Sequence, residues 1–370
     1  VKRREDGKSA KDLSNVRYGE LWGSREVKNE ALWSGKSKEL STTTLPHKAP
    51  QYPFVSRNYD VELQYSGGFA LVELMPVNGT GVVTKRDGLT IHDNESGVRE
   101  AVESIQNMDE MSFRSKYLLP EDVRDWRYEW AKSDVVSNVS RSVISDISYR
   151  PFDDKFIYYS GVSRGFVGWP VSRIMRNFLA KPNIAIHSPR QCAIDWGHSF
   201  VTARMSEFNL TGNAGRYGAS AVFPLYLYPE EGTLDQTIRV NFDPKLYAQF
   251  REAAGLTGMP AVPDGSDAFR KASGDARPDE VRVFDYIYGV LHCPAYRARY
   301  AEFLKIDFPR IPFPASPESF RAISEQGEAL RRLHLMEDTA IGATPYPFHG
   351  DGDSVVEKPR HENGQVWINA

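Results

Sequence analysis

Through the middle of the chain, apolar residues alternate with polar ones or form short continuous runs, and both patterns predict β-strands. The segments VISDISYR, KFIYYS, NIAIHSP and SFVTAR follow one another between residues 143 and 204 and are rich in Val, Ile, Tyr and Phe. FPLYLYP at 223–229 is a further predicted strand with proline at both ends. Proline cannot donate to a sheet ladder, so this strand is expected at an edge or a bend.

Elsewhere apolar residues recur every three to four positions, which predicts helices. The predicted helical segments are 97–134 with a helix start at Pro120, a short helix at 170–180, 243–255, 278–304 with an interruption at Pro294, and 316–336. In 243–255, Asp243 is a favoured N-cap residue and Gly255 suits the end of the helix. The pattern as a whole predicts an α+β fold, with a β-rich body and a supporting helical layer.

Turn residues mark the remaining segments. Residues 1–50 are polar and irregular, which is typical of a connector. The apolar run 69–77 lies between glycine-rich turns and has the length of a strand or a short buried helix. Residues 82–92 alternate around Asp87-Gly88 and predict a hairpin, and 356–369 predict another around Asn363-Gly364.

Charge is nearly balanced, with a net value of −3, which is unusual for a free-standing nucleic-acid-binding protein. The balance conceals clustering. Residues 149–190 contain seven Lys or Arg residues against only Asp153 and Asp154, whereas acidic residues concentrate at 93–129 and 229–280. This distribution predicts a basic face on a neutral body.

Motifs for several kinds of chemistry are missing from the sequence. It has no phosphate-binding glycine loop, no Gly-x-Ser-x-Gly elbow and no histidine pair spaced for zinc. Cys192 and Cys293 are too few for a disulfide scaffold, and we expect two reduced thiols. No run of 18 apolar residues and no signal peptide is present, so we expect a cytoplasmic protein that does not span a membrane.

One cluster allows an enzymatic alternative. Asp153, Asp154 and Lys155 lie beside a predicted strand, and two carboxylates with a lysine can hold a metal ion for phosphodiester cleavage. Adjacent strand residues point to opposite faces, however, and such sites normally take a carboxylate from a second strand. The other interpretation is a turn between strands in which Asp153 accepts backbone hydrogen bonds.

A binding surface is the remaining hypothesis. Arginine reads guanine as a fork, glutamine reads adenine, and lysine holds phosphates. The candidate DNA-binding residues are Lys85, Arg86, Arg150, Arg164, Arg173, Arg176, Arg190, Gln191 and Arg204. The alternative for each cation is an ordinary surface charge or a structural ion pair.

Several segments resemble the C-terminal specificity region of type ISP restriction-modification enzymes. The segments are YRPFD at 149–153, YY at 158–159, SRG at 163–165, MR at 175–176, NIA at 183–185, RQ at 190–191, FVT at 200–202, FPLYLYP at 223–229, YIYGVLHCPAYR at 286–297 and FLKIDFPRIP at 303–312. TGV at 80–82, Thr84 and Arg86-Asp87 extend the resemblance upstream. The loosely matching segment 203–222 fits a region that varies with the target sequence.

The resemblance implies a longer parent enzyme. Such an enzyme methylates adenine N6 in a short asymmetric DNA site and cuts unmethylated DNA after ATP-driven translocation, using S-adenosylmethionine, ATP and Mg²⁺. The Asn-Pro-Pro-Tyr and glycine motifs of such methyltransferases are absent from this sequence. We therefore expect the catalysis in upstream domains and no cofactor bound by this fragment. The implied partners are double-stranded DNA and the methyltransferase and helicase domains of the same polypeptide.

The resemblance also predicts three regions. Residues 1–65 would be the exit from the methyltransferase domain and a connector, 66–340 the target recognition domain, and 341–370 the start of a truncated C-terminal β segment. The fold expected is a β-rich target recognition body with a supporting helical layer at 243–255, 280–304 and 316–336. A scaffold that couples methyltransferase to helicase without reading DNA is the non-enzymatic alternative.

Overall fold

The structure is a computed structural model that describes residues 13–35, 37–47, 52, 54–56, 58–140, 142–179, 181–230, 232–257, 259, 262–343 and 360–367. The strands are β1 (Val16–Tyr18), β2 (Thr43–Leu45), β3 (Phe69–Ala70), β4 (Gly79–Thr80), β5 (Ile91–His92), β6 (Val143–Arg150), β7 (Asp153–Tyr159), β8 (Ala185–Pro189), β9 (Phe200–Thr202), β10 (Met205–Ser206), β11 (Ser220–Pro224), β12 (Tyr226–Leu227), β13 (Arg239–Val240), β14 (Arg310–Ile311), β15 (Arg360–Glu362) and β16 (Gln365–Trp367).

The helices are α1 (Arg25–Ser34), α2 (Ser37–Leu40), α3 (Tyr59–Ser66), α4 (Leu71–Leu74), α5 (Asp87–Thr90), α6 (Glu95–Asn107), α7 (Glu110–Lys116), α8 (Tyr128–Asn138), α9 (Ser172–Met175), α10 (Ala214–Tyr217), α11 (Pro244–Ala253), α12 (Ala268–Lys271), α13 (Asp279–His292), α14 (Pro294–Arg299), α15 (Ala301–Leu304), α16 (Pro317–His334) and α17 (Asp338–Ile341), with a 3₁₀ turn at Gly274–Ala276. The mixture confirms the predicted α+β class. Within the described ranges, no helix has both the length and the apolar content to cross a membrane.

Two four-stranded sheets form the β-rich body. Sheet 1 has the order β10-β6-β7-β5, and its centre is the antiparallel β6–β7 hairpin. The hairpin turn places Phe152 in the left-handed region at φ 64°. β10 lies parallel to β6 and pairs Met205 with Ile147. The strands predicted from VISDISYR and KFIYYS are therefore confirmed.

Sheet 2 has the order β4-β11-β8-β9 and is antiparallel throughout. Its inner strands β8 and β11 are buried along their whole length, so their polar side chains are expected to find hydrogen-bond partners within the protein. His187 on β8 links three strands, because its two ring nitrogens lie 2.9 Å from the hydroxyls of Ser220 and Thr202. Complete burial lowers the pKa of His187 to about 3, so the ring is neutral at pH 7.

The largest hydrophobic cluster joins sheet 2 to the helical layer. Phe223 comes from the sheet, and Phe250, Tyr286 and Phe320 come from α11, α13 and α16. The Tyr286 ring centroid lies 5.3 Å from that of Phe250 and 5.6 Å from that of Phe320. These separations are typical of aromatic pairs that contribute beyond their buried area. The helical layer thus supports the sheet, as predicted.

Helices α13 and α16 cross at two glycines. A Cβ atom added to Gly327 would lie 1.8 Å from the Asp285 carbonyl oxygen, and one added to Gly289 would lie 2.7 Å from the Ile323 carbonyl oxygen. Both distances are far below a van der Waals contact. The atoms that would be met belong to the backbone of the facing helix, which cannot shift without moving that helix. The close approach therefore requires glycine at both positions.

Beside this crossing lies a buried ionic cluster. The Arg331 Nε donates to Asp285 Oδ1 over 2.6 Å, and Arg277 Nη1 donates to Asp285 Oδ2 over 2.5 Å. Glu328 lies 3.2 Å from Arg277 Nε. All four side chains are buried, so each charge depends on its partners for solvation.

Several predicted elements are confirmed with small shifts at their ends. Helix α11 begins after Asp243, whose carboxylate accepts hydrogen bonds from the Lys245 and Leu246 amides. The interruption at Pro294 separates α13 from α14. The predicted C-terminal hairpin is present as β15–β16, with Asn363 and Gly364 both at positive φ. The division of the chain at 66 and 340 stays a prediction.

The hairpin predicted at 82–92 is wrong. Residues 87–90 form the helical turn α5, β5 pairs with β7, and Val83 pairs with Trp169. The Thr84 hydroxyl donates to the Asp87 carboxylate, which places Asp87 at the start of a helical turn instead of a hairpin turn.

Two helix boundaries were also predicted wrongly. Helix α8 begins at Tyr128 instead of Pro120, because Val123 pairs with Trp126 and the Asp122 carboxylate accepts the Tyr128 amide proton. The helix predicted at 170–180 is the single turn α9. There the Asn177 side chain accepts the amide proton of Tyr228, which binds the end of the turn to β12.

Gly327→Ala should lower the free energy of unfolding by about 3 kcal/mol, because the new Cβ forces the two helices apart. Urea unfolding followed by circular dichroism measures the change. Gly88→Ala is the matched control, since a Cβ at Gly88 meets no atom within 4 Å. That variant should be neutral or slightly more stable. Equal stability of the Gly327→Ala and parent proteins would contradict the role of the crossing.

Candidate nucleic-acid interface

The structure distributes the nine predicted DNA-binding residues over four places on the surface. Arg150 and Arg204 lie at the end of the β6–β7 hairpin, and Arg173 and Arg176 lie at α9. Arg190 and Gln191 follow β8. The remaining residues, Lys85, Arg86 and Arg164, lie around the pairing of Val83 with Trp169. The ion pairs that each cation forms with carboxylates show whether it has a structural role or is available to bind a ligand.

Arg150 has a structural environment. Its Nη1 lies 2.7 Å from the Glu207 carboxylate, and its guanidinium carbon lies 3.9 Å from the Tyr149 ring centroid. The side chain of Glu207 is only 3% exposed, against 35% for Arg150. Burial raises the pKa of Glu207. Arg150 is therefore the counter-charge of a buried carboxylate.

Arg204 is paired as well. It forms ion pairs with Asp146 and, over 2.8 Å, with Asp154. Asp154 also accepts a hydrogen bond of 2.8 Å from the Ser148 hydroxyl. These contacts bind β6, β7 and the segment before β10 together.

The nuclease alternative finds little support in these contacts. Asp153 begins β7 directly after the hairpin turn, and Asp154 is engaged by Ser148 and Arg204. Lys155 pairs with Asp93 and lies 3.4 Å from Asp153. Across the described ranges, no three His, Cys, Asp or Glu side chains come together in a group that could hold a metal ion. The geometry thus favours the turn between strands.

Arg173 and Arg176 differ in their pairing. Arg176 lies 2.8 Å from the Glu230 carboxylate. Arg173 is exposed and its guanidinium has no hydrogen bond or ion pair with a described residue. Arg173 is therefore available to a ligand without loss of an existing contact.

Arg190 and Gln191 are exposed at the rim of an open crevice of about 570 Å³. Gly218 also lines the crevice, at φ 82°, and a Cβ added to it would lie 2.1 Å from the Gln191 carbonyl oxygen. This close approach holds the backbone of Gln191 against the segment that follows α10. Arg190 pairs with Asp307 over 2.9 Å, and both side chains are more than 60% exposed.

The fourth place, around the pairing of Val83 with Trp169, is built on a strained backbone. Val83 and Trp169 exchange two backbone hydrogen bonds of 2.9 Å. The flanking residues Lys85 and Arg164 both have positive φ, at 68° and 56°. Non-glycine residues in this region cost free energy and tend to occur at functional sites. Arg86 lies 4.9 Å from the Trp126 ring centroid and donates to the Glu121 carbonyl.

Sequence reasoning missed two further residues here. Arg127 and Trp130 lie near Arg164. The guanidinium carbon of Arg127 lies 4.8 Å from the centroid of the Trp130 ring, and that of Arg164 lies 5.6 Å from the same centroid. Arg164 is also 5.6 Å from the centroid of Trp169, which is 39% exposed. We call Arg127, Trp130, Arg164 and Trp169 the Arg–Trp face. The sequence feature that could have identified them is the i, i+3 spacing of Arg127 and Trp130, in a stretch rich in acidic residues.

The family comparison decides the identity of the fold. The family model of the Type ISP C-terminal specificity domain matches residues 73–370, which is more than half of the chain. The chain belongs to this family. The predicted resemblance is therefore confirmed. No curated protein sequence matches the chain.

Three solved structures are similar to this specificity domain in fold. LlaBIII, an ATP-dependent Type ISP restriction-modification enzyme bound to DNA, matches with a TM-score of 0.58 and 17% identity over 88% of this chain and 20% of its own. A nuclease-deletion mutant of the Type ISP enzyme LlaGI with a DNA substrate mimic matches with a TM-score of 0.57 and 19% identity over 98% of this chain and 32% of its own.

The third is the DrdV–DNA complex, with a TM-score of 0.56 and 20% identity over 90% of this chain and 32% of its own. The specificity domain thus spans a third or less of the length of each of these three chains. At these identities the likeness shows the fold alone.

Within this family's fold, the contacts divide five of the nine residues into two groups. Arg150 and Arg204 stabilise sheet 1 through ion pairs with carboxylates. Arg164, Arg173 and Arg190 are exposed and either unpaired among the described residues or paired only at the surface. A fully exposed pair contributes about 0–1 kcal/mol, so its arginine exchanges partners readily.

Arg150→Met should lower the free energy of unfolding by about 1–3 kcal/mol, because Glu207 would remain buried without its counter-charge. Arg173→Met removes an exposed arginine without a described partner and should change stability by less than about 0.5 kcal/mol. Urea unfolding of both variants tests the division. An Arg150→Met protein as stable as the parent would show that Arg150 is not structural.

Proposed function

We propose that this specificity domain reads the DNA target of a Type ISP restriction-modification enzyme. The family match over residues 73–370 is the observation that carries the proposal. The similar solved structures support it, because each of the three is a complex with DNA or a DNA mimic. The exposed arginines supply the donors that base edges and phosphates accept.

The parent polypeptide would supply the chemistry. We infer that adenine N6 methylation and ATP-dependent cleavage belong to its methyltransferase, helicase and nuclease domains, with S-adenosylmethionine, ATP and Mg²⁺ as their cofactors. The described side chains of this domain do not fit a metal site of three His, Cys, Asp or Glu ligands, so no catalytic step is assigned to them. Its partners would be double-stranded DNA and those domains, in the cytoplasm.

Base reading would fall to the rim of the crevice. Arg190 can form a bidentate pair with guanine O6 and N7, and Gln191 can do so with adenine N6 and N7. Asp307 holds Arg190 only through an exposed contact, so DNA can replace it at small cost. The close packing of Gly218 against the Gln191 backbone limits the motion of this rim.

Selection from a randomised duplex library should enrich one asymmetric motif that survives at raised salt. Arg190→Ala or Gln191→Ala should relax the preference at one position of that motif, which corresponds to about 1–3 kcal/mol of discrimination. Sequencing of the bound fraction is the measurement. Arg239→Ala is the matched control, because Arg239 is exposed and already pairs with Asp235 four residues away.

Binding without any enriched motif would favour a coupling scaffold over a reading domain. Repeating the selection with the methyltransferase domain restored distinguishes a scaffold from a reader that needs its neighbour. If the restored protein enriches no motif either, the proposed function is wrong.

A further inference from the structure

We propose that Arg127 and Arg164 bind phosphodiester groups of the DNA backbone, with Trp130 as the residue that positions both guanidiniums. The inference rests on the proposed function and adds a ligand class to the Arg–Trp face. This surface would anchor DNA independently of sequence, whereas the rim at Arg190 and Gln191 would read bases.

The charges of this face leave the two guanidiniums without partners. Arg127 and Arg164 are exposed, and neither guanidinium has a hydrogen bond or ion pair with a described residue. Asp122 and Asp125, two carboxylates that attract them electrostatically, form their ion pairs with other cations. Asp122 pairs with Arg114 over 2.7 Å and accepts the Tyr128 amide proton, while Asp125 pairs with Arg124 over 3.0 Å and with Lys85.

The state of Asp125 supports this assignment of charges. Its hydrogen bond with Arg124 holds the pKa of Asp125 below its usual value, and the positive charges of Lys85 and Arg164 lower it further, so the carboxylate is ionised. Arg164 is attracted to this carboxylate, and Arg127 to that of Asp122, only at longer range. An anion from outside the chain can therefore bind the two guanidiniums without displacing a hydrogen bond or an ion pair.

The backbone that carries the arginines is held in place. Arg164 opens a turn in which its own amide donates to the Gly168 carbonyl over 2.8 Å. The carboxylate of Asp134 on α8 accepts the Phe166 amide proton over 2.8 Å, and Trp126 donates to the Phe166 carbonyl over 3.1 Å. The turn is thus attached to the element that follows Arg127.

Glycine is required within this turn. A Cβ at Gly165 would lie 2.2 Å from Asp134 Oδ2, so the turn packs directly on the α8 carboxylate. Arg127 is the N-cap residue of the same helix, and Trp130 lies one turn further on. The backbones that carry the two arginines and the indole are therefore held together, which reduces the backbone entropy lost on binding.

The two guanidiniums beside the Trp130 indole favour phosphates over bases as the ligand of this face. Trp130 is half-buried and has both guanidiniums within 5.6 Å of its centroid, so it does not offer a free face for base stacking. The guanidiniums beside the indole form no hydrogen bond with a described residue, so their N–H donors are free to bind a ligand. Those donors match the geometry of a phosphate, which arginine binds as a fork.

The test compares the parent protein with Arg127→Ala/Arg164→Ala on the selected duplex and on a scrambled duplex over a range of salt. The double variant should bind both duplexes about ten- to fiftyfold more weakly at physiological salt, and the slope of log Kd against log salt should fall by about 1.8. Arg127→Lys/Arg164→Lys should keep most of the slope and lose part of the affinity, because lysine retains the charge without the fork.

The matched control is Arg99→Ala/Arg239→Ala, which removes the same number of positive charges. Both arginines are exposed and pair with a carboxylate four residues earlier in the chain, so this variant should keep the slope of the unsubstituted protein. Circular dichroism is used to check that each variant is folded. An unchanged slope in Arg127→Ala/Arg164→Ala, or a loss confined to the selected duplex, would overturn the phosphate assignment while the proposed function stands. If the unsubstituted specificity domain binds no duplex, even when the methyltransferase domain is restored to it, both proposals fail.

Discussion

The buried carboxylate of Asp285 is the constraint on which the rest of the helical layer depends. Arg331 and Arg277 bind its two oxygens, and all three side chains are removed from solvent. A buried charge without its partners costs several kcal/mol, so the three groups must assemble together. Their assembly fixes α13 against α16 at the crossing of Gly289 and Gly327, where no other residue fits.

From this crossing, contacts lead to both sheets. The His334 ring at the end of α16 accepts or donates a hydrogen bond of 2.5 Å with the Tyr288 hydroxyl. It stacks on Phe200 of β9 at 5.3 Å between centroids, and Phe152 at the β6–β7 turn meets both rings edge-on. One aromatic cluster thus connects the helices, sheet 2 and the sheet 1 hairpin. Burial lowers the pKa of His334, which favours the neutral ring in this cluster.

The sequence was most informative where a short-range rule decides the structure. Asp243 caps α11, Pro294 separates two helices, and Asn363-Gly364 forms the hairpin turn, each by local chemistry. It was least informative at 82–92, where the local turn signal at Asp87 competes with the pairing of Val83 to Trp169, more than 80 residues away. No local pattern reveals a contact of that range.

The candidate interface shows the same limit. Charge clustering identified Arg164 and Arg190, which are exposed, but also Arg150, which neutralises a buried glutamate brought in from residue 207. Arg127 was missed because its neighbours are acidic, and only the fold shows that two of those carboxylates, Asp122 and Asp125, form ion pairs with other cations. A count of charges in sequence cannot distinguish a committed cation from an available one.

The central claim is that the exposed arginines of the Arg–Trp face and of the crevice rim meet DNA, and that exposed arginines elsewhere on the surface do not. Arginine footprinting with a dicarbonyl reagent and mass spectrometry, with and without the selected duplex, tests it most directly. The account predicts that Arg127, Arg164 and Arg190 lose reactivity when the duplex is bound, while Arg99 and Arg239 keep it. Undiminished reactivity of Arg127 and Arg164, with protection of Arg99 or Arg239 instead, would contradict the account.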